Sequence, residues 1–182
     1  LQSLPEYPGY RSPNKAKNFE IEKKMVTKLG PEIHEFVKIC NQHGLRMRAV
    51  GAVAVNYYGY KRNSADVDFW IDRTSANIRK LLRALNDLGY NVDRFPEKVN
   101  KGEQNVSLKL NPHIEIELIV SLNPGKTFDE AYANAEEYSP GGDWSYRWHI
   151  ISYDDLITSK LKSGRTKDMH DVHELRRIKR NE

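Results

Sequence analysis

Asp66 and Asp68 lie one residue apart inside an apolar run, Val67, Phe69, Trp70 and Ile71, and this pairing constrains the chain more than any other feature. Side chains alternate faces along a strand, so both carboxylates point the same way, with Cα atoms roughly 7 Å apart at a rise of about 3.3 Å per residue. Two like charges held that close in a covered site disfavour joint ionisation. A hard divalent cation with oxygen ligands, Mg²⁺ above all, removes the conflict. An exposed strand end with two solvated carboxylates is the plain alternative. The residues upstream lead into the acidic strand. Leu45 to Val50 reads as a short strand, Gly51-Ala52 as a tight turn, Ala52 to Tyr58 as a small-residue helix, and the residues that follow as a polar loop. Without a Cβ at Gly51 the backbone can turn sharply, and either a phosphate or a packed strand can approach it. The first N–H groups of the following helix are free to meet an anion.

Around this unit the apolar pattern switches between helical and strand periods. Ile33, Phe36, Val37 and Cys40 predict a helix over 32–43, with Gly44 as its stop. Thr74 or Ser75 caps the next helix, whose face is Ile78, Leu81, Leu82, Leu85 and Leu88. Tyr90 to Val92 begins an extended segment, and Pro96 to Gln104 reads as a mobile loop on the substrate side. Asn105 to Leu110 and His113 to Leu122 form a hairpin about Asn111-Pro112. Glu115 and Glu117 share one face of its second strand, so either can add a third carboxylate. Beyond a Gly- and aromatic-rich loop, Ser139 to Trp148, a strand over 148–151 leads to a helix opened by Ser152 or Tyr153, and a helical pair fills about 152–180. Residues 1–18 read as an irregular arm, Phe19 to Leu29 as a short helix, and 19–182 as one domain. The expected fold class is α/β, a short mixed sheet flanked by helices.

Composition excludes several function classes. The 182 residues hold 38% hydrophobic and 30% charged side chains and no apolar run near the roughly 20 residues of a membrane span. The start shows no basic region followed by an apolar core. A single cysteine, Cys40, excludes an internal disulfide and a thiolate cluster, and its helical apolar series makes it a core residue. These features together set the expectation of a soluble cytoplasmic protein. A net charge of +4 permits an anionic partner, for which a nucleoside triphosphate suffices. There is no zinc-finger spacing, Walker loop, dinucleotide fingerprint or Ser-His-Asp arrangement. His170 and His173 flank Asp171 without a matching ligand set.

Taken in order, Gly51-Ala52, Gly59-Tyr60-Lys61-Arg62-Asn63-Ser64 and Asp66-Val67-Asp68-Phe69-Trp70-Ile71 resemble the motif of the nucleotidyltransferase superfamily with the polymerase-beta-like fold. The pattern is similar above all to stand-alone bacterial minimal and abortive-infection-type nucleotidyltransferases. Asp155-Leu156-Ile157 through Lys160, then Gly164 to Asp168 and Asp171, resembles the same group, so the similarity runs from about Glu32 to about Ile178. The resemblance implies Asp66 and Asp68 as ligands of two Mg²⁺ ions. It implies Glu117, within Ile116-Glu117-Leu118-Ile119, as the third acid, where relatives more often carry Asp. Phosphate contacts would come from the Gly51-Ala52 turn, where relatives often carry Ser at the position of Ala52, and from Arg62, Ser64 and Lys160. Arg165, Lys167 and Asp168 read as ties between the two last helices. The implied activity is Mg²⁺-dependent transfer of a nucleoside monophosphate from a triphosphate to an acceptor hydroxyl. That hydroxyl could belong to a protein side chain, a tRNA end or a small molecule. Two other readings are a nucleotide- or partner-binding module without turnover, and a toxin–antitoxin component acting through a cognate partner protein.

Overall fold

A six-stranded mixed sheet in the order β3-β4-β2-β1-β6-β5 carries the molecule. The structure is a computed structural model that describes residues 26, 28–140 and 145–181. The arm over 1–18 and most of the helix expected over 19–29 lie outside the described residues. The elements are α1 (Pro31–Gln42), β1 (Met47–Ala49), α2 (Gly51–Tyr57), β2 (Asp66–Ile71), α3 (Ser75–Asp87), α4 (Glu97–Lys101), β3 (Val106–Asn111), β4 (Ile114–Ile119), α5 (Phe128–Ala133), β5 (Glu136–Tyr138), β6 (Trp148–Ile150), α6 (Tyr153–Ser163) and α7 (Thr166–Arg180). The fold is α/β with a C-terminal helical pair, as expected. β2 runs parallel to β4 and β1 parallel to β6, while the remaining neighbours are antiparallel.

Alternation along β2 divides the sheet into two chemically different faces. Val67, Phe69 and Ile71 share one face with Ile116 and Leu118 of β4, and all five are buried. α1 covers that face, its Phe36 ring 5.6 Å from the Phe69 ring. Cys40 on the same helix is fully buried, and burial pushes its thiol well above the usual range. The other face carries Asp66, Asp68, Trp70 and, beyond the strand end, Asp72. Here α5 covers Trp70, with the Phe128 ring 4.8 Å away. Arg48 of β1, paired in register with Trp70, is completely buried among Trp70, Phe128 and Tyr132, its guanidinium carbon 5.2 to 5.4 Å from their ring centres. Burial lowers the Arg48 pKa to about 10, which leaves it cationic at neutral pH, stabilised by the ring faces.

Four segments differ from expectation. Residues 97–101, expected in a mobile loop, form α4, because Val99 is only 1% exposed and anchors a turn to the core. Tyr90 to Val92 forms no strand; Asn86 instead offers its amide as a substitute partner, donating to the Val92 carbonyl and accepting from the Val92 N–H, both at 2.9 Å. β5 and α5 were not anticipated. α5 is fixed by a capping box in which Thr127 Oγ1 accepts from the Glu130 N–H and the Glu130 carboxylate accepts from the Thr127 N–H.

Asn77, in the first turn of α3, clips that helix to the sheet. Its amide donates to the carbonyls of Arg46 and Asp72 and accepts from the Arg46 N–H at 2.8 to 3.0 Å, with Asn77 2% exposed. Asn77→Ala removes three hydrogen bonds at once. Urea unfolding is expected to show a loss of about 2 kcal/mol, the sum of these modest bonds and of the strand-end groups left unpaired.

Candidate functional site

Register brings the carboxylates together. β2 and β4 pair so that Asp66 lies beside Glu115 and Asp68 beside Glu117, and neighbouring strands stand about 4.8 Å apart with matched residues on one face. The two glutamates are then separated by what β3 places opposite them. Glu115 pairs with Lys109, whereas Glu117 pairs with the neutral Ser107. Asp66, Asp68 and Glu117 line a cleft of about 420 Å³, and Glu115 does not. Glu117, not Glu115, is therefore the carboxylate of β4 that joins Asp66 and Asp68 in the cleft wall, where Asp168 of α7 also lies. Asn105 donates to one oxygen of Glu117, Oε1, at 2.7 Å and sets the direction of that carboxylate.

Asp68 is half-buried in this wall. Burial raises its pKa to about 6, with Glu117 and Asp66 adding to the rise and Arg62 and Lys160 opposing it. Among the described residues no donor bonds its carboxylate. Gly51 explains how it is accommodated. At φ +55° a Cβ at Gly51 would stand 1.7 Å from Asp68 Oδ2 and 2.7 Å from Asp68 Cγ. The glycine is needed first to clear the carboxylate. Gly51 lines the cleft, while Ala52 is 3% exposed, packs inward and is not part of the wall.

The cations expected at phosphates are present but engaged. Lys160 is 5% exposed, and its Nζ donates to Asp168 Oδ1 at 3.0 Å and to Asp171 Oδ2 at 2.7 Å. Arg62 Nη1 donates to the same Asp171 oxygen at 2.9 Å, and Asn56 holds the Arg62 backbone through its N–H and its carbonyl. Both cations line the cleft, tied by one aspartate of α7. Ser64 Oγ accepts from the Asp66 N–H at 3.4 Å and so braces the loop at the strand start. Burial pushes Asp168 up, but hydrogen bonds from Arg165, Ser163 and Lys160 outweigh it and leave its carboxyl at about 2. The expected tie between the last two helices is present through Arg165 and Asp168, joined by Ser163 and Lys160, whereas Lys167, expected in the same tie, takes no part in it among the described residues and lines the cleft instead; Asp171, not foreseen in this role, joins α7 to the loop before β2. Asp72, just beyond the end of β2, is bound by Arg46 and Thr74 away from the cleft. His170 meets Tyr60 instead of a ligand set.

As placed, no group of three or more His, Cys, Asp or Glu side chains among the described residues closes into a finished metal cluster. The donors nevertheless suit a hard cation: all are carboxylate oxygens, and Asp68, half-buried with no hydrogen-bond donor among the described residues, gains from a positive charge. No protein-family model, no curated protein and no solved structure matches the chain.

A raised carboxyl pKa is a stability statement with a definite sign. Protonated Asp68 is accommodated below its unfolded value of 3.8, and that stability is lost as pH rises through about 6. Without divalent cations, the stability of Asp68→Asn minus that of the native chain is expected to increase by roughly 2 kcal/mol between pH 4 and pH 7.5. Urea titrations at a series of pH values test this; a flat difference would mean that Asp68 ionises without penalty.

Proposed function

We propose that the chain is a Mg²⁺-dependent nucleotidyltransferase, moving a nucleoside monophosphate from a triphosphate to an acceptor hydroxyl. The observation that carries the proposal is the convergence of Asp66, Asp68 and Glu117 in one cleft, with five cationic side chains, Arg62, Lys160, Lys162, Arg165 and Lys167, on its wall. Asp66, Asp68 and Glu117 would hold the Mg²⁺, which when bound neutralises triphosphate oxygens and makes an acceptor hydroxyl a better nucleophile. In the transfer the hydroxyl oxygen bonds to the α-phosphorus while its proton passes to the Glu117 carboxylate, the bond from the α-phosphorus to the α–β bridging oxygen breaks, and pyrophosphate leaves with that electron pair. The chain's own part is placement. Asn105 occupies one oxygen of Glu117 and leaves the other for the site. Arg62 and Lys160 stand where a triphosphate would lie, but their charge is met by Asp171 and Asp168, so the charge that offsets a bound triphosphate comes from Lys167 on the same wall. Lys162, 3.0 Å from Asn123 Oδ1, adds a further cation at the rim.

A binding module without turnover, acting alone or through a cognate partner protein as in a toxin–antitoxin pair, is the second reading. It is favoured by Ala52, which lacks a hydroxyl and faces inward, and by the anchoring of Glu117 to Asn105. Calorimetric titration with ATP, GTP, CTP and UTP in Mg²⁺, followed by a pyrophosphate assay with candidate acceptors, separates the two. The first reading expects Mg²⁺-dependent binding that weakens at least about tenfold, a loss of about 1.4 kcal/mol or more, in Asp66→Asn/Asp68→Asn, together with pyrophosphate release. Binding without release supports the second reading. Folded native protein that binds no triphosphate contradicts the first reading and leaves of the second only the form that binds a partner protein.

A further inference from the structure

A second concavity, of about 580 Å³, lies between α6 and α7 and shares no lining residue with the carboxylate cleft. Its floor is aliphatic, made of Leu161, Met169 and Val172. Leu161 is 44% exposed, the one large hydrophobic side chain so exposed among the described residues. Its rim is basic. Met169, Val172, Arg176, Lys179 and Arg180 fall along one stripe of α7, apolar in its first half and cationic in its second. Arg176 and Arg180 have no acidic partner among the described residues, and no acid lines the groove. Lys179 lies 4.1 Å over the Tyr153 ring and 4.0 Å from Asp154. The nearby Glu174 is taken by Arg177 at 2.8 Å and stands 3.7 Å from His173.

We propose that this groove docks an amphipathic helix of a partner protein, one whose apolar stripe is flanked by Asp and Glu. Leu161 stands exposed at the mouth of a floor in which Met169 is half-buried and Val172 buried, a pocket that takes an apolar side chain, and the uncompensated positive rim selects an acidic partner. The stripe from Met169 to Arg180 spans about 17 Å at 1.5 Å per residue, the length of three turns of a helix lying in the groove. Nucleic acid fits less well. Its bases seek open aromatic faces, and the Tyr153 ring is covered by Lys179. The inference does not rest on nucleotidyl transfer and stands or falls separately from it.

The probe is a fluorescein-labelled helical peptide with Leu at i, i+3, i+4 and i+7 and Glu on both flanks, followed by anisotropy with the full chain. The control peptide carries Lys in place of Glu. The acidic peptide is expected to bind saturably, and to bind about tenfold more weakly when ionic strength rises from roughly 0.05 to 0.5 M. Leu161→Asp and Arg176→Glu/Arg180→Glu are each expected to weaken it at least about tenfold, the range of a buried interface anchor. All three positions are exposed, so thermal midpoints should stay unchanged. Arg176→Glu/Arg180→Glu should in turn favour the Lys peptide. Absence of saturable binding, or binding untouched by both variants, overturns the proposal. So does a self-dimer in sedimentation that Leu161→Asp abolishes, or tighter binding of single-stranded RNA or anionic vesicles through Arg176 and Arg180.

Discussion

Parallel pairing of β2 with β4 places Asp68 directly beside Glu117 on one face of the sheet, two residues from Asp66, and the rest of the site answers the repulsion this creates. Like charges on adjacent strands oppose pairing, and burial adds to the cost for Asp68. Three features make the arrangement tolerable. Gly51 has no Cβ, so the Asp68 carboxylate can lie against the turn. Val67, Phe69, Ile71, Ile116 and Leu118 supply hydrophobic burial on the opposite face of the same two strands. Arg62 and Lys160 stand close enough to lower the Asp68 pKa in part. A site whose charges conflict and whose scaffold compensates is the usual signature of function over stability.

The C-terminal pair links the cleft to the remainder of the molecule. Lys160 from α6 and Asp168 and Asp171 from α7 form a buried network, and Asp171 reaches across to Arg62 in the loop that delivers β2. Such a network is expensive to break, since removing one partner leaves a buried charge without compensation. α6 is itself fixed at its start, where Ser152 Oγ accepts from the Asp155 N–H and Lys126 pairs with the Asp155 carboxylate at 2.7 Å. The same two helices that wall the cleft also form the groove between Leu161 and Arg180. A partner seated there would press on helices that carry the cationic wall.

Much of this was legible in the sequence because it follows from period and punctuation. The alternation of β2, the helical spacing of α1 and α3, the Thr74 cap and the 111–113 turn of the hairpin depend on neighbours in sequence, so the alternating faces of Asp66, Asp68, Glu115 and Glu117 could be read directly. What could not be read was partnership across the sheet. Whether Glu115 or Glu117 serves depends on Lys109 and Ser107 of β3, and on a β2–β4 register that no local pattern fixes. Arg48 went unnoticed because a cation in a strand looks like an edge residue; its burial depends on Trp70 and on Phe128 and Tyr132, far along the chain. Asn77 and Asn86 read as ordinary polar helix residues, and only the strand ends beside them give them a role. Lys160 was expected to face the cleft, and it does, but its two aspartate partners come from the next helix.

The central claim is that Asp66, Asp68 and Glu117 form one cation site and that Glu115 lies outside it. Titration of Mn²⁺, as a paramagnetic stand-in for Mg²⁺, against the native chain and single variants, with free Mn²⁺ followed by electron paramagnetic resonance, tests it directly. The account predicts that Asp68→Asn and Glu117→Gln each weaken Mn²⁺ binding at least about tenfold, as loss of a carboxylate ligand to a hard cation requires, while Glu115→Gln leaves it unchanged. Binding by the native chain no tighter than by Asp68→Asn, or a loss in Glu115→Gln that Glu117→Gln does not share, would contradict it.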